Sequence, residues 1–219
     1  MENHMPRYTK GEEVFNMVSH IVGGGLGLVA MFFCVIIAAY SQNIWGVAGG
    51  LVYGMSMVFL FTMSSLYHGL SPGSKAKRVF RVLDHCAIFV LIAGTYTPIL
   101  LGRFREAYPS DAWTIFALVW GMAALGIVFN AVNLRRFIKL SLVCYLVMGW
   151  AIMFRVDRML GVLGGYFFGL ILAGGILYSL GVIFYILGHR KKYMHSVFHV
   201  FVVAASVSHS VAIAVFIMP

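Results

Sequence analysis

Long apolar segments, separated by short polar connections, run through the whole of this 219-residue chain. Each segment is close to the ~20 residues that an α-helix needs to cross the hydrocarbon core of a bilayer. Hydrophobic residues make up 61% of the chain and charged residues only 11%, which excludes a soluble domain. The segments also lack the ~10-residue in–out alternation of a membrane barrel. The sequence therefore predicts an all-α membrane protein.

We count seven of these segments, which predicts a single transmembrane domain of seven helices over residues 1–219. The first segment is too long for a signal-peptide core and follows two acidic residues, so we expect it to be a retained helix. The predicted helices cover residues 18–40, 45–68, 82–102, 112–131, 137–154, 162–188 and 194–218.

The basic residues are unevenly distributed between the two sides of the predicted bundle. Four of the sixteen fall on one side and twelve on the other, so the positive-inside rule places the N-terminus in the cytoplasm and the C-terminus outside. A net charge of +9 divided in this way is a topology signal, and we expect membrane lipids rather than nucleic acid as partners. The twelve are Arg7, Lys10, Lys75, Lys77, Arg78, Arg81, Arg135, Arg136, Lys139, Arg190, Lys191 and Lys192; the four are Arg103, Arg105, Arg155 and Arg158.

Glycines repeat every four residues in three of the predicted helices. Small residues one turn apart let helix backbones approach closely, which predicts tight packing within the bundle or, alternatively, a homo-oligomer. The repeats are Gly23/Gly27, Gly46/Gly50/Gly54 and Gly161/Gly165/Gly169.

A proline lies inside the third predicted helix, in the stretch from Gly94 to Pro98. Because proline lacks an amide donor, we expect a kink near Gly94, with Thr95 and Thr97 satisfying freed backbone groups. Such a kink either opens a cavity or serves packing alone.

Two histidines, His195 and His199, are four residues apart at the start of the last predicted helix. They lie on one face and can both reach one metal ion, although such pairs also serve as hydrogen-bonding links between helices. Threading the chain through a bilayer brings His68 and the Asp84-His85 pair to the same side. Because ionisable residues at membrane depth are costly and usually functional, this convergence favours a metal site.

Three neutral histidines with one open position are typical of a catalytic zinc site. Asp84 is then the carboxylate that holds or deprotonates the zinc-bound water, unless it pairs with Arg81 or only complements the helix dipole. Ser64, one turn before His68, can bond that water, a substrate oxygen or the backbone carbonyl four residues back.

The first helix opens with a capping box, in which Thr9 is the cap and Glu12 reaches back to it. Asn16, Ser19 and His20 continue a polar stripe along this helix. The stripe can line an entrance, support the metal ligands, or simply link helices.

His209 lies ten residues beyond His199, about 15 Å along the last helix. This distance excludes it from the same metal site, and we expect a buried hydrogen bond instead.

Four motifs together resemble the hemolysin III-type bacterial membrane proteins, within the wider progestin and adiponectin receptor (PAQR) family. They are Ser64-x-x-x-His68, Leu83-Asp84-His85, Gly94-Thr95-Tyr96-Thr97-Pro98 and His195-x-x-x-His199. The resemblance covers essentially the whole chain.

This resemblance implies seven helices, a cytoplasmic N-terminus and a zinc ion near the cytoplasmic side of a bacterial inner membrane. It carries the ligand role onto His68, His195 and His199, a water-mediated contact onto Asp84, and the serine position of the family onto Ser64. The extended N-terminal region of the eukaryotic receptors is lacking, which argues against hormone reception.

Ceramide-cleaving amidases belong to the wider superfamily, so the resemblance suggests a zinc-dependent hydrolase of a lipid or acyl-amide substrate. The alternative is a non-enzymatic protein of membrane homeostasis or sensing, in which zinc only ties the second and seventh helices together.

Overall fold

The computed structural model describes residues 8–218, which are almost entirely helical. A π-helical segment, Leu100–Phe104, and a 3-10 segment, Ala151–Arg155, interrupt the α-helices. Arg7, one of the twelve basic residues that predict the orientation in the membrane, lies outside the described residues. The helices are α1 (Lys10–Tyr40), α2 (Ile44–Gly69), α3 (Lys75–Ile99), the single turn α4 (Arg105–Ala107), α5 (Pro109–Gly149), α6 (Val156–Leu187) and α7 (Met194–Phe216).

Within residues 8–218, five helical runs are long and apolar enough to cross a membrane. The fourth, Pro109–Leu187, has 79 residues, and at ~1.5 Å per residue it exceeds the thickness of a bilayer several times. Its backbone leaves the helical conformation at Asn133 and Gly164. Asn133 falls in a predicted connection, and its Oδ1 accepts a hydrogen bond from the amide of Arg136 at 3.0 Å, as an N-cap does. An all-helical, membrane-type architecture is confirmed, whereas the count of seven crossings and their orientation stay predictions.

The first and third helices begin before their apolar segments do. Thr9 and Glu12 form the predicted capping box, with the Thr9 amide 2.8 Å from the Glu12 carboxylate. Ser74 caps α3 by accepting from the amide of Lys77 at 3.0 Å. Hydropathy placed the starts of these helices at 18 and 82 because polar first turns carry no apolar signal.

Several polar side chains are buried inside the bundle, while many large apolar side chains are exposed on its outside. Val132 and Phe154 are 75% and 77% exposed, while Asn130 is fully buried and accepts a 2.6 Å hydrogen bond from Ser141. This distribution is expected when lipid surrounds the protein, because polar groups then find partners only in its interior.

Two of the three glycine repeats pack α1 against α2. A Cβ on Gly54 would lie 2.2 Å from the Met31 side chain, and one on Gly23 would lie 2.8 Å from Phe61. Packing within the bundle is wrong for Gly161, Gly165 and Gly169, where a Cβ would meet no described atom within 4 Å, while a homo-oligomer stays a prediction. That repeat faces outward, because spacing alone does not tell which face of a helix is covered.

The backbone stays helical at Gly94, and the irregular segment follows Pro98 instead. Thr95 and Thr97 donate to the carbonyls of Leu91 and Ala93 at 2.8 and 2.9 Å. Neither bonds the Gly94 carbonyl, whose amide donor is missing at Pro98, so the role predicted for these threonines is wrong. Gly94 also lets α2 approach closely, since its Cβ would lie 2.4 Å from the Ser56 hydroxyl. These contacts hold α3 regular at Gly94.

The contact between α3 and α5 makes a testable packing prediction. A Cβ on Gly126 would lie 2.1 Å from the buried Phe89 ring, so Gly126→Ala should destabilise the protein by ~1–3 kcal/mol through overpacking. Thermal unfolding in detergent measures this change. Gly121→Ala on the same helix is the matched control, because its Cβ would meet no described atom within 4 Å. Equal unfolding temperatures for the two variants would contradict the close approach of α3 and α5.

Candidate metal centre

Three buried histidines converge at one end of the bundle, and we call them the histidine cluster: His68, His195 and His199. His68 lies in the last turn of α2, and the other two lie in the first two turns of α7. One ligand atom from each lies within 4.8 Å of the others, and the Nε2 atoms of His195 and His199 are 3.1 Å apart. The ligands of a tetrahedral zinc ion lie ~3.4 Å apart, so the cluster can hold a metal ion with small adjustments.

The start of α7 is fixed by contacts with other parts of the chain. Tyr193, with a left-handed φ of 61°, donates its amide to the Glu12 carboxylate at 2.7 Å. A Cβ on Gly188 would lie 3.0 Å from the backbone nitrogen of His195, so a larger residue would push His195 by a few tenths of an ångström. The connection between α6 and α7 thereby sets the position of His195.

Glu13 orients His68 and was missed as a site residue from the sequence. Its Oε2 lies 2.6 Å from His68 Nδ1, and its Oε1 lies 2.9 Å from the Lys77 ammonium. Because a carboxylate only accepts, Nδ1 carries the proton and the Nε2 lone pair of His68 is left for a metal. This buried Nε2 has no hydrogen-bond partner among the described residues.

Lys77 completes this support from α3. It is 3% exposed, and its ammonium donates to the carbonyls of His68 and Leu70 at 3.3 and 3.0 Å.

The signal for Glu13 in the sequence was its position one turn before Asn16, which extends the polar stripe of α1. The Nδ2 atom of Asn16 lies 3.5 Å from His68 Nδ1, so the stripe packs against a cluster ligand.

His20, at the other end of the stripe, packs beside the cluster. Its ring centroid lies 3.8 Å from that of His199, and neither of its buried ring nitrogens has a hydrogen-bond partner in residues 8–218. It therefore does not link helices by hydrogen bonding.

Asp84 and Ser64 line the same cavity as His195 and His199. The Asp84 carboxylate lies 3.6 Å from His85 Nδ1, and no ion pair joins it to Arg81 in the described part of the chain. Ser65, rather than Ser64, donates to the carbonyl four residues back, at 2.7 Å. The Ser64 hydroxyl is 1% exposed and hydrogen-bonds to none of the described residues.

Tyr8 covers the cluster from outside the helices. Its ring stacks on His195 with centroids 4.7 Å apart and an interplanar angle of 20°. Burial raises the pKa of the Tyr8 hydroxyl, with smaller contributions from Tyr67 and Tyr185. The hydroxyl therefore stays neutral at physiological pH, and the cluster is shielded without added charge.

The cavity leads from the cluster into the bundle and has a volume of about 140 Å³. Apolar side chains such as Leu91, Ile92 and Leu142 form much of its wall. Tyr178 and His209 line it as well. The expected hydrogen bond of His209 is confirmed, since its Nε2 lies 3.0 Å from the carbonyl of Ile171. The cavity is thus an apolar space that has ionisable groups at the histidine cluster.

The sequence matches the family model described as haemolysin-III related over residues 8–210. The chain belongs to this family. It is 38% identical to Hemolysin-3 of Bacillus cereus over 221 residues, which cover 100% of this chain and 99% of that protein. It is 39% identical to the Hemolysin-3 homolog of Bacillus subtilis (strain 168) over 199 residues, 91% of each chain.

A more distant relative is the Monocyte to macrophage differentiation factor of Homo sapiens. It is 28% identical over 177 residues, which are 79% of this chain and 72% of the human protein. The predicted resemblance to hemolysin III-type membrane proteins, and through them to the PAQR family, is confirmed by these matches. Within this haemolysin-III related protein, the matched region contains the whole histidine cluster together with Glu13, Ser64 and Asp84.

The Glu13–His68 contact predicts the effect of a substitution on metal binding. Glu13→Gln should weaken metal affinity about 10- to 100-fold, because the amide no longer fixes the His68 tautomer through a charge-assisted hydrogen bond. Competition with a fluorescent chelator measures the affinity of the purified protein. The matched control is Glu106→Gln at an exposed position, which should leave affinity unchanged. Wild-type affinity in Glu13→Gln would show that this carboxylate does not support the site.

Proposed function

We propose that this protein is a zinc-dependent membrane hydrolase that acts on a lipid or acyl-amide substrate. The observation that carries the proposal is that two members of the histidine cluster, His195 and His199, line a mainly apolar cavity. A purely structural site needs no such cavity beside it. In this site Asp84 and Ser64 are placed on the same cavity, with side chains suited to proton transfer and hydrogen bonding.

The donor set favours zinc over other common ions. Three imidazoles without cysteine or a carboxylate ligand suit an ion that prefers nitrogen and four-coordinate geometry, with one position left open. When bound there, zinc lowers the pKa of a coordinated water to about 7 and polarises a carbonyl.

Residues of the cavity bind the substrate, transfer the proton and stabilise the developing charge. The apolar wall of the cavity takes up an acyl chain, so the carbonyl group reaches the histidine cluster. Asp84 accepts the proton that the attacking water loses as its oxygen bonds to the carbonyl carbon. The C–N bond of the amide then breaks, and Asp84 returns the proton to the departing amine. The Ser64 hydroxyl donates to the carbonyl oxygen as negative charge develops on it.

A second candidate is a non-enzymatic protein of membrane homeostasis or sensing, in which the metal only joins helices. The contacts of Glu12 with Tyr193 and of Glu13 with His68 and Lys77 favour it, since they already tie α1, α2, α3 and α7 together around the cluster. The name hemolysin belongs to the bacterial relatives, and a lytic effect would be a variant of this candidate.

Asp84→Asn separates the two candidates. For an enzyme, the variant should keep its metal and lose ~10²- to 10⁴-fold in turnover, because a general base contributes about that factor. The measurement compares membrane lipids of cells that lack the protein, express it, or express the variant, together with the metal content of the purified proteins.

Asp157→Asn, at an exposed position on α6, is the matched control and should behave as wild type. A lipid amide that disappears only when Asp84 is intact supports the hydrolase. Identical lipid compositions in all strains, with metal retained in the variant, would overturn the hydrolase in favour of the structural tie.

A further inference from the structure

One of the buried histidines that line the cavity, His209, lies far from the histidine cluster. It lies ten residues beyond His199 on α7, about 15 Å further along the helix axis. Its side chain is 9% exposed and lines the same cavity as His195 and His199. A polar group at this depth in an apolar bundle is costly, so its hydrogen-bonding state indicates what the cavity takes up.

The hydrogen bond of His209 defines its tautomer. Nε2 lies 3.0 Å from the carbonyl oxygen of Ile171, and a carbonyl only accepts, so Nε2 carries the proton. Nδ1 of the neutral ring is then a hydrogen-bond acceptor. Among the described residues this buried atom has no partner. An unpaired acceptor inside a bundle costs free energy that a bound donor would recover.

The surroundings of the ring fix the direction in which this acceptor points. A Cβ on Gly174 would lie 2.3 Å from His209 Cδ2 and 2.4 Å from Nε2, so only glycine admits that edge of the ring. Tyr178, one turn later, packs edge-on with ring centroids 5.5 Å apart, and its hydroxyl is held by Ser206 at 2.7 Å. With the Cδ2–Nε2 edge against α6, the opposite edge, which carries Nδ1, points away from α6, on a side chain that lines the cavity.

We propose that His209 Nδ1 forms a second polar subsite, which accepts a hydrogen bond from a donor carried within the chain of a long lipid. This subsite rests on the proposed function in one respect, which is that the carbonyl end of the ligand lies at the histidine cluster. The ligand class is therefore an elongated amphiphile with a hydroxyl or amide N–H about 15 Å from its carbonyl. A plain saturated acyl chain fills the same space but leaves Nδ1 unpaired.

Binding of two probes to the purified full-length protein tests this subsite. The probes are octadecanoate and a hydroxyoctadecanoate with its hydroxyl on the carbon that lies about 15 Å from the carboxylate in the extended chain, each displacing a fluorescent fatty acid. We expect the hydroxylated probe to bind wild type about ten-fold more tightly, which is the effect of one buried hydrogen bond. The wild-type ratio needs no variant, so a folding defect cannot obscure it.

Three variants locate the effect. His209→Phe keeps a ring but removes the acceptor, so the affinity ratio should fall to about one while octadecanoate still binds. His209→Gln retains both an acceptor and a donor and should preserve part of the preference. Gly174→Ala displaces the ring and should also abolish the preference.

The outcomes separate this inference from the proposed function. Equal affinities of the two probes for wild type overturn the His209 subsite and leave the hydrolase proposal standing. An unchanged ratio in His209→Phe also overturns the subsite, because the donor is then recognised elsewhere. If neither probe binds, the cavity does not take up acyl chains, and both proposals are overturned.

Discussion

At the histidine end of the bundle, one carboxylate joins polar side chains of two other helices. Glu13 on α1 contacts His68 on α2 at 2.6 Å and Lys77 on α3 at 2.9 Å. Lipid offers no alternative partner for any of these groups, so the three helices are held in one arrangement. The same contact orients the imidazole of His68 toward His195 and His199. Support of the bundle and assembly of the metal centre therefore depend on one set of interactions.

The sequence predicted the parts of this arrangement that depend on local order. Apolar segments and their charge flanks identified a helical membrane protein, and the four-residue spacing of His195 and His199 identified one face of α7. The capping box of Thr9 and Glu12 is likewise confirmed, because a cap depends only on residues three apart. That His68 lies beside His195 and His199 depends on tertiary structure. The order of the helices across a bilayer predicted only that the three histidines are on the same side.

Other features depend on contacts between helices and could not be predicted. Glu13 lies next to a capping residue, and its place in the polar stripe of α1 does not reveal that its carboxylate contacts His68 on another helix. Tyr8 stacks on a histidine 187 positions later in the chain. Which glycine repeat packs inward, as Gly54 does and Gly165 does not, also depends on the partner surface. Hydropathy in turn cannot detect polar first turns such as those of α1 and α3.

The cavity connects the two proposals. Its histidine end carries ionisable groups that suit chemistry at a carbonyl, and His209 places a neutral acceptor about 15 Å away in an otherwise apolar wall. A site of this form selects a ligand by the distance between two polar groups rather than by a headgroup alone. That property distinguishes it from a metal that serves only to tie helices.

The central claim is that the histidine cluster binds a metal ion, and metal analysis combined with X-ray absorption of the purified protein tests it most directly. We predict about one zinc ion per chain with three imidazole nitrogens at ~2.0–2.1 Å. The His195→Ala/His199→Ala variant should lose this metal, whereas His189→Ala, at an exposed position before α7, should retain it. Metal content unchanged in the double variant, or a spectrum dominated by sulfur ligands, would contradict the account.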